Sequence, residues 1–148
     1  MLALAVVGCG GSSYTKTDFI ARADAICAGA LRQTRSIAPV GAAQAGSGQD
    51  RALAAYLNGV VPVLESEASQ LRALRRPPGT THEQTTLNRY FAALTQTVTY
   101  YKHLAAAAKQ GDDQAVADAE AALGASPVYS LAAGYGLGSC GTPGATTA

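Results

Sequence analysis

The sequence predicts an all-α protein, an up-down-up-down bundle of four helices. Two observations lead to this fold class. Much of the 48% apolar content is alanine, and Trp is absent. Alanine with regularly spaced leucine is typical of helices rather than of sheets. Four stretches also repeat apolar residues at helical spacing, and short connections join them, as in an antiparallel bundle.

The first helix is expected to begin near Thr17 or Asp18, whose side-chain oxygens can cap free N–H groups. Its apolar residues form one stripe at helical period. These are Phe19, Ile20, Ala23, Ile26, Cys27, Ala30, Leu31 and Ile37. Cys27 is near the middle of the stripe, so we expect it to face the core or a partner helix. Pro39 ends the helix, and residues 39–49 have the composition of a linker.

The second helix is expected to begin near Gln49 or Asp50 and also carries one apolar stripe. Its members are Leu53, Tyr56, Leu57, Val60, Val61, Leu64, Ala68, Leu71 and Leu74. Pro62 interrupts the hydrogen bonding because it has no N–H and collides with the carbonyl of Asn58. Since the stripe keeps its phase across Pro62, we predict a kink there rather than a new helix.

Either Thr80 with Glu83 or Thr81 with Gln84 fits a capping box at the start of the third helix. The apolar seam of this helix has the spacing of a bundle. It consists of Leu87, Phe91, Leu94, Val98, Tyr101, Ala105 and Ala108. Gly111 is expected to end the helix.

Asp112 or Asp113 is expected to cap the fourth helix after a very short turn, which makes helices 3 and 4 antiparallel neighbours. Pro127 predicts a kink in this helix. Ser126 and Pro127 suit the N-cap and the first position of a second helical segment. The apolar residues of the two segments are Val116, Ala119, Leu123, Val128, Leu131 and Tyr135.

The N-terminal apolar run ends at Val6-Val-Gly-Cys9, and glycine and serine follow it. This motif resembles the lipobox of bacterial lipoprotein signal peptides. The resemblance implies that a diacylglycerol is attached to Cys9 and that cleavage makes Cys9 the first residue of the mature protein. No basic residue precedes the short run, so we expect a true start further upstream or a trimmed chain. The alternatives are a plain secretory leader, or a buried segment with Cys9 as a core thiol.

The chain then divides into a signal-peptide remnant (1–8), a flexible tether (9–16), a helical bundle domain (17–141) and a disordered tail (142–148). Six apolar residues extend about 9 Å as a helix, which is too short to span a hydrocarbon core of about 30 Å. We therefore expect an extracytoplasmic protein, held at the outer face of the cell membrane through the lipid on Cys9.

Without Cys9, two cysteines remain, Cys27 and Cys140. An exported protein lies where thiols are oxidised, so this pair is expected to form a disulfide. The alternative is two separate reduced thiols. Three patches with the patterns F-x-x-x-A-D-x-I-C, L-x-x-L-x-x-P-P and Y-G-L-x-x-C resemble a group of small actinobacterial lipoproteins of unknown function. The patches are Asp18–Cys27, Leu71–Pro78 and Tyr135–Gly141. The resemblance implies the same pairing, a helical fold and an extracytoplasmic location, and it brings no activity.

Charge and motifs disfavour several classes of function. The 11 basic and 10 acidic residues nearly balance, and the basic ones are scattered, so no nucleic-acid partner is expected. His82 and His103 lack a second His or Cys at metal-ligand spacing and are interpreted as surface or capping residues. Catalytic glycine motifs do not occur in a suitable strand–helix setting. We therefore predict no catalytic residue, no metal and no cofactor.

Three further features have both a structural and a functional interpretation. Asp112-Asp113 resembles a carboxylate pair but is typical of a helix cap. Gly134-Tyr-Gly-Leu-Gly138 is rich in glycine but is typical of a C-cap and turn. Tyr90, Tyr100 and Tyr101 form the richest aromatic group; Tyr101 belongs to the seam, whereas Tyr100 leans outward and could contact a ligand.

The sequence thus favours a non-enzymatic structural or interaction module of the cell envelope, whose protein partner it does not identify. An alternative is a carrier of a lipid or another small apolar molecule. Its pocket would lie between helices, opened by the kink at Pro62 and the small residues of the fourth helix. A metal or redox enzyme is the third possibility.

Overall fold

The computed structural model describes residues 13–37 and 47–143. Within these ranges the chain forms five helices and no strand. The helices are α1 (Lys16–Ser36), α2 (Ser47–Ala73), α3 (Thr81–Gln110), α4 (Asp113–Gly124) and α5 (Val128–Tyr135). α2 packs against α1 and α3, while α3 also packs against α4 and α5. Because α4 and α5 together form the fourth arm, the predicted all-α four-helix bundle is confirmed.

The ends of the helices meet as an up-down-up-down order requires. Lys16 at the start of α1 lies 2.9 Å from the carboxylate of Glu83 at the start of α3. The last residue of α5, Tyr135, packs edge-on against Phe19 of α1, with the ring centroids 6.0 Å apart. The predicted signal-peptide remnant (1–8), the first half of the predicted tether (9–12, with Cys9) and most of the predicted tail (144–148) lie outside the described residues.

A capping box starts α1 earlier than the sequence predicts. The side chain of Thr15 accepts a hydrogen bond from the backbone nitrogen of Asp18, and the Asp18 carboxylate accepts one from the backbone nitrogen of Thr15. Thr15 is therefore the cap, and Asp18 is the third helical residue. α1 ends at Ser36, so Ile37, predicted to continue the stripe, adopts extended backbone angles and packs beside Gly59 of α2.

The second helix begins at Ser47, slightly before the predicted Gln49 or Asp50, and continues through Pro62 to Ala73. An uninterrupted helix on both sides of Pro62 agrees with the constant phase of its apolar stripe. Pro62 itself is exposed, which leaves its ring outside the packed face of α2.

The start of α3 uses the first of the two predicted capping boxes, because Thr80 and Glu83 exchange the required hydrogen bonds. Gly111 ends α3 in the left-handed conformation, with φ at 68°. The Asp112 carboxylate then caps α4 by accepting a hydrogen bond from the backbone nitrogen of Ala115 at 3.0 Å. The short turn places α4 antiparallel to α3, as predicted.

The fourth arm is divided rather than only kinked. α4 ends at Gly124, and α5 starts after Pro127, which occupies the N-cap position instead of the predicted first helical position. Ser126 still supplies a cap, because its hydroxyl accepts a hydrogen bond from the backbone nitrogen of Val128. The same hydroxyl shares a 2.7 Å hydrogen bond with Thr97 of α3, which fixes the break against the central helix.

The hydrophobic core consists of two clusters along the bundle. The larger one joins α1, α2, α3, α5 and the segment after α5. Its largest fully buried side chains are Phe19, Leu71, Leu87, Tyr90 and Leu137. The smaller one joins α2, α3 and α4. It is built on Leu57, Tyr101, Leu104 and Ala119. Only the larger cluster includes residues of α1 and of the C-terminal segment, which we define as residues 136–143. These two parts of the chain therefore contact each other at one end of the bundle.

Candidate functional site

A disulfide fastens the C-terminal segment to the first helix. Cys27 of α1 and Cys140, which follows α5, are bonded; they are 113 positions apart in the sequence, and their Cα atoms are 5.0 Å apart. Both residues are buried. The predicted pairing is confirmed, and Cys27 faces the core as its place in the apolar stripe indicated.

Asp24 holds the same segment through its backbone. Its carboxylate accepts hydrogen bonds from the nitrogens of Gly138 at 3.2 Å, Ser139 at 2.8 Å and Cys140 at 3.5 Å. The chain reaches this position because Gly136 ends α5 with φ at 103°, a conformation that favours glycine. The glycine-rich stretch is therefore a C-cap and turn, and it aims backbone N–H groups at Asp24.

The structure describes Thr142 and Pro143, which follow the predicted end of the bundle domain at Gly141. Thr142 was expected to begin a disordered tail. Its hydroxyl donates to the carbonyl of Gly138, and its nitrogen donates to the carbonyl of Ser139. These bonds close a compact turn around Cys140.

Tyr14 lies at the end of the bundle from which the chain leads back toward Cys9. The guanidinium groups of Arg22 and Arg75 lie 5.5 and 5.7 Å from the centre of its ring, within the range of a cation–π interaction. The Tyr14 hydroxyl is buried and has no hydrogen-bond partner among the described residues. Helix α1, through Arg22, and the segment that follows α2, through Arg75, thus bring positive charge to one aromatic ring.

Lys16 extends this aromatic and basic surface. Its ammonium lies 4.6 Å from the centre of the Tyr135 ring and also bonds to Glu83. The hydrogen bond from Lys16, together with those from Thr80, lowers the pKa of the Glu83 carboxyl to about 2. Nearby, Arg76 lies over the ring of Phe91. We define the basic end as Lys16, Arg22, Arg75 and Arg76.

Two neighbouring cavities follow the seam between α3 and the fourth arm. Their volumes are about 420 and 480 Å³, and both are lined by Tyr100 and Ala122. Small side chains shape the first of them. They are Ala106, Ala107, Ala115 and Ala119. Tyr100 is half-buried between the two cavities, whereas Tyr101 is buried in the core.

The two histidines lie in different places. His103 is exposed and lines the first of these cavities, and His82 is exposed in the first turn of α3. Asp112 caps α4, and Asp113 is exposed beside it. These side chains do not converge on one point, and each is explained by its local position.

A third cavity, of about 260 Å³, lies between α1 and α2, and we call it the Glu67 groove. Its principal lining residues are Ile26, Gly29, Val63, Ser66, Glu67 and Gln70. Burial raises the pKa of the Glu67 carboxyl from 4.5 to about 7. No ion pair or hydrogen bond from the described part of the chain reaches this carboxylate.

Glu67 also acts on Tyr90, the largest fully buried side chain in the described core. Burial is the main reason that the pKa of Tyr90 is raised, and the negative charges of Glu67 and Asp24 raise it further. No pattern in the sequence pointed to Glu67, because a single glutamate on a helix is typical of an ordinary surface residue. In the sequence, Asp24 is only a member of the patch Asp18–Cys27, and nothing there predicts a hydrogen-bonding role for it.

Across residues 13–37 and 47–143, no three His, Cys, Asp or Glu side chains are grouped so that they could hold a metal ion. The helices in these ranges do not include one that is long and apolar enough to cross a bilayer. The chain matches no protein-family model, no curated protein and no solved structure.

Proposed function

We propose that this chain is an extracytoplasmic lipoprotein that acts without catalysis, as a structural or interaction module of the cell envelope. The observation that carries the proposal is the disulfide between Cys27 and Cys140. Disulfides persist in oxidising compartments and are rare in the cytosol. The motif Val6-Val-Gly-Cys9 resembles a signal for export to such a compartment. Two separate features of the chain therefore support the same location.

The basic end adds a second line of support. Tyr14 is five residues from Cys9, so the connection between them extends at most about 18 Å. A lipid on Cys9 would hold the basic end close to the headgroups. Aromatic rings with basic side chains around them suit a membrane interface, since one part is apolar and the other is hydrated and cationic. Tyr14 with Arg22 and Arg75 has this composition.

The test of anchoring is Cys9→Ser, expressed from the native locus and compared with Ser13→Ala as a matched change in the same short segment. We expect the Ser13 variant to stay in the membrane fraction and the Cys9 variant to leave it. Intact-mass analysis of the membrane-bound form should find diacylglycerol on an N-terminal Cys9. Equal membrane partitioning of Cys9→Ser and wild type would contradict the lipoprotein proposal.

A carrier of a small apolar molecule is a second candidate, and the cavities beside Tyr100 favour it. Their alanine-rich walls agree with the predicted contribution of the small residues of the fourth helix, whereas Pro62 lines none of the three cavities described above. Apolar walls with a few polar groups are typical of ligand pockets.

Native mass spectrometry of protein purified from its own envelope separates the two candidates. A carrier should retain a stoichiometric apolar molecule, and Ala115→Leu should displace it by filling the first cavity. Ala117→Leu changes an exposed residue of the same helix and should leave binding intact. Protein without any bound molecule, and equal behaviour of both variants, would exclude the carrier and leave the interaction module.

A further inference from the structure

We propose that the Glu67 groove is a binding site for a primary alkylammonium group. The site lies between α1 and α2, away from the cavities beside Tyr100 and from the basic end. It does not depend on lipid attachment. The proposal rests on the position of one carboxylate, the acceptors around it and the shape of the groove.

The half-buried carboxylate of Glu67 lacks the hydrogen-bond or ion-pair partner that such a charge ordinarily has. The side chain of Glu67 is half-buried and its carboxylate keeps some contact with water. An ionised carboxylate in such a place is further stabilised by a cation or a hydrogen-bond donor. In the described part of the chain no basic side chain and no N–H group reaches Glu67. The nearby ion pair of α2 uses Glu65, which bonds to Lys102 of α3 at 2.8 Å. A cation entering the groove would therefore meet an acceptor that has no competing partner.

The neighbours of Glu67 are also acceptors. The Ser66 hydroxyl accepts a hydrogen bond from the Gln70 amide nitrogen at 3.0 Å, which leaves the amide oxygen of Gln70 and a second lone pair on Ser66 available. Gln33 of α1 lines the opposite side of the groove. An ammonium group carries three donors and no acceptor. It matches a carboxylate, a hydroxyl and an amide oxygen better than an anion or a neutral carbonyl compound would.

The rest of the groove suits an alkyl chain. Ile26 of α1 and Val63 of α2 supply apolar walls. Gly29 leaves space between them, because a Cβ at this position would meet only an Arg32 nitrogen, at 3.9 Å. A volume of about 260 Å³ accommodates a short chain of about four carbons beside its ammonium.

Charges on the neighbouring helices define the electrostatics of the site. α1 contributes Arg32, and α3 contributes the buried phenol of Tyr90, whose pKa the charge of Glu67 raises. Asp24 of α1 also acts on Tyr90, but its carboxylate is bonded to the backbone of the C-terminal segment and does not line the groove. Arg32 is exposed and forms no ion pair with Glu67. Glu67 is the one charged residue among those that line the groove, with the Arg32 guanidinium at its edge. An unpaired negative charge in the groove attracts a cation.

The experiment is a titration of the full chain with n-butylammonium, followed by NMR at about pH 8, where the Glu67 carboxyl is mostly ionised. We expect shifts of the backbone amides of Gly29 and Ser66. n-Butanol and butyrate, which have the same chain without the positive charge, should not produce them. Glu67→Gln should weaken binding at least about tenfold, and Glu65→Gln should not.

A second variant tests whether binding requires the open groove, and it does not depend on whether Glu67→Gln folds. Gly29→Leu keeps the carboxylate but fills the groove, so it should also abolish the shifts. The proposal is overturned if Glu67→Gln binds as tightly as wild type, if n-butanol binds equally well, or if no shift appears up to about 50 mM ligand.

One further arm identifies the source of the ammonium. Lysine amide that is acetylated on its α-nitrogen keeps the side-chain ammonium and presents it as a peptide would. If it binds like n-butylammonium, the site accepts a lysine side chain. If it does not, the site is restricted to a free amine. Either result supports an ammonium site, and the absence of binding by both ligands contradicts it.

Discussion

The carboxylate of Asp24 accepts hydrogen bonds from the backbone nitrogens of Ser139 and Gly138 on its two different oxygens. Asp24 and Ser139 are separated by 115 positions. The next residue, Cys140, is bonded to Cys27, one turn further along α1 from Asp24. Adjacent groups of one helix therefore hold the C-terminal segment by a covalent bond and by charge-assisted hydrogen bonds.

Asp24→Ala removes the acceptor, so the three backbone N–H groups of residues 138–140 lose their partner and can be satisfied only by water. We expect the free energy of unfolding to fall by about 1–3 kcal/mol in urea denaturation. Asp24→Asn keeps one acceptor oxygen and should lose less. Glu120→Ala is the control, since Glu120 is an exposed acid of α4. If Asp24→Ala unfolds at the same urea concentration as Glu120→Ala, the hydrogen bonds contribute nothing measurable.

Reduction of the disulfide should destabilise the bundle by about 2–5 kcal/mol, because a bond across 113 positions restricts the unfolded chain. The measurement compares unfolding of the oxidised chain with that of chain whose thiols have been reduced and blocked. Before reduction, thiol titration should detect no free cysteine apart from any unmodified Cys9. A free thiol at Cys27 or Cys140 in the native sample would contradict the bond.

The two attachments should also depend on each other. Asp24→Ala in reduced chain is expected to cost less than in oxidised chain, because the freed segment leaves α1 part of the time. The difference between the two losses is the coupling energy of a double cycle, and a value above about 0.5 kcal/mol indicates cooperation. Additive losses would mean that the hydrogen bonds hold the segment without the help of the disulfide.

Features that depend on a few neighbouring residues were predictable from the sequence. The capping residues of α3 and α4 and the glycine that ends α3 follow from local hydrogen bonding, so short patterns identify them. The disulfide followed from counting cysteines in an exported chain. The start of α1 was placed late because Asp18 can cap a helix itself, and only the structure shows that it serves as the third residue behind Thr15.

Features that depend on distant residues were not predictable in this way. The seam of α3 omitted Tyr90 and Leu104, which are almost fully buried. α3 packs against α2, α4 and α5 together, so it buries a wider face than a two-helix seam does. Asp24 and Glu67 show the same limit. The hydrogen-bond partners of Asp24 are more than a hundred residues away in the sequence. Glu67 is half-buried only because α1 packs beside it, which the sequence around Glu67 does not indicate.

Gly111 and Gly134 should respond in opposite ways to alanine. Gly111 has φ at 68°, a conformation that strains any side chain, so Gly111→Ala should cost about 1 kcal/mol. Gly134 lies within α5 and has open space around a Cβ, so Gly134→Ala should stabilise by about 0.5–1 kcal/mol. Thermal unfolding of both variants beside wild type measures this. A shift in the same direction for both would contradict the left-handed turn at Gly111.

Glu67 should make the stability of the protein depend on pH. The folded-state pKa is about 7, above the ordinary 4.5, so in this window the folded chain holds a proton that the unfolded chain has released. Wild-type stability should therefore fall as pH rises from 4.5 to 7, by about 1–3 kcal/mol, and change little from this group outside the window.

Glu67→Gln removes the charge and keeps the shape, so it should match wild type near pH 4.5 and exceed its free energy of unfolding by about 1–3 kcal/mol near pH 8. Glu65→Gln, the matched exposed control, should show no such gain, since its ion pair with Lys102 is exposed to water. Saturating n-butylammonium should reduce the gap near pH 8, because it stabilises the ionised wild-type carboxylate and not the amide. If the difference between Glu67→Gln and wild type is the same at both pH values, Glu67 is solvated and its pKa is not raised by burial.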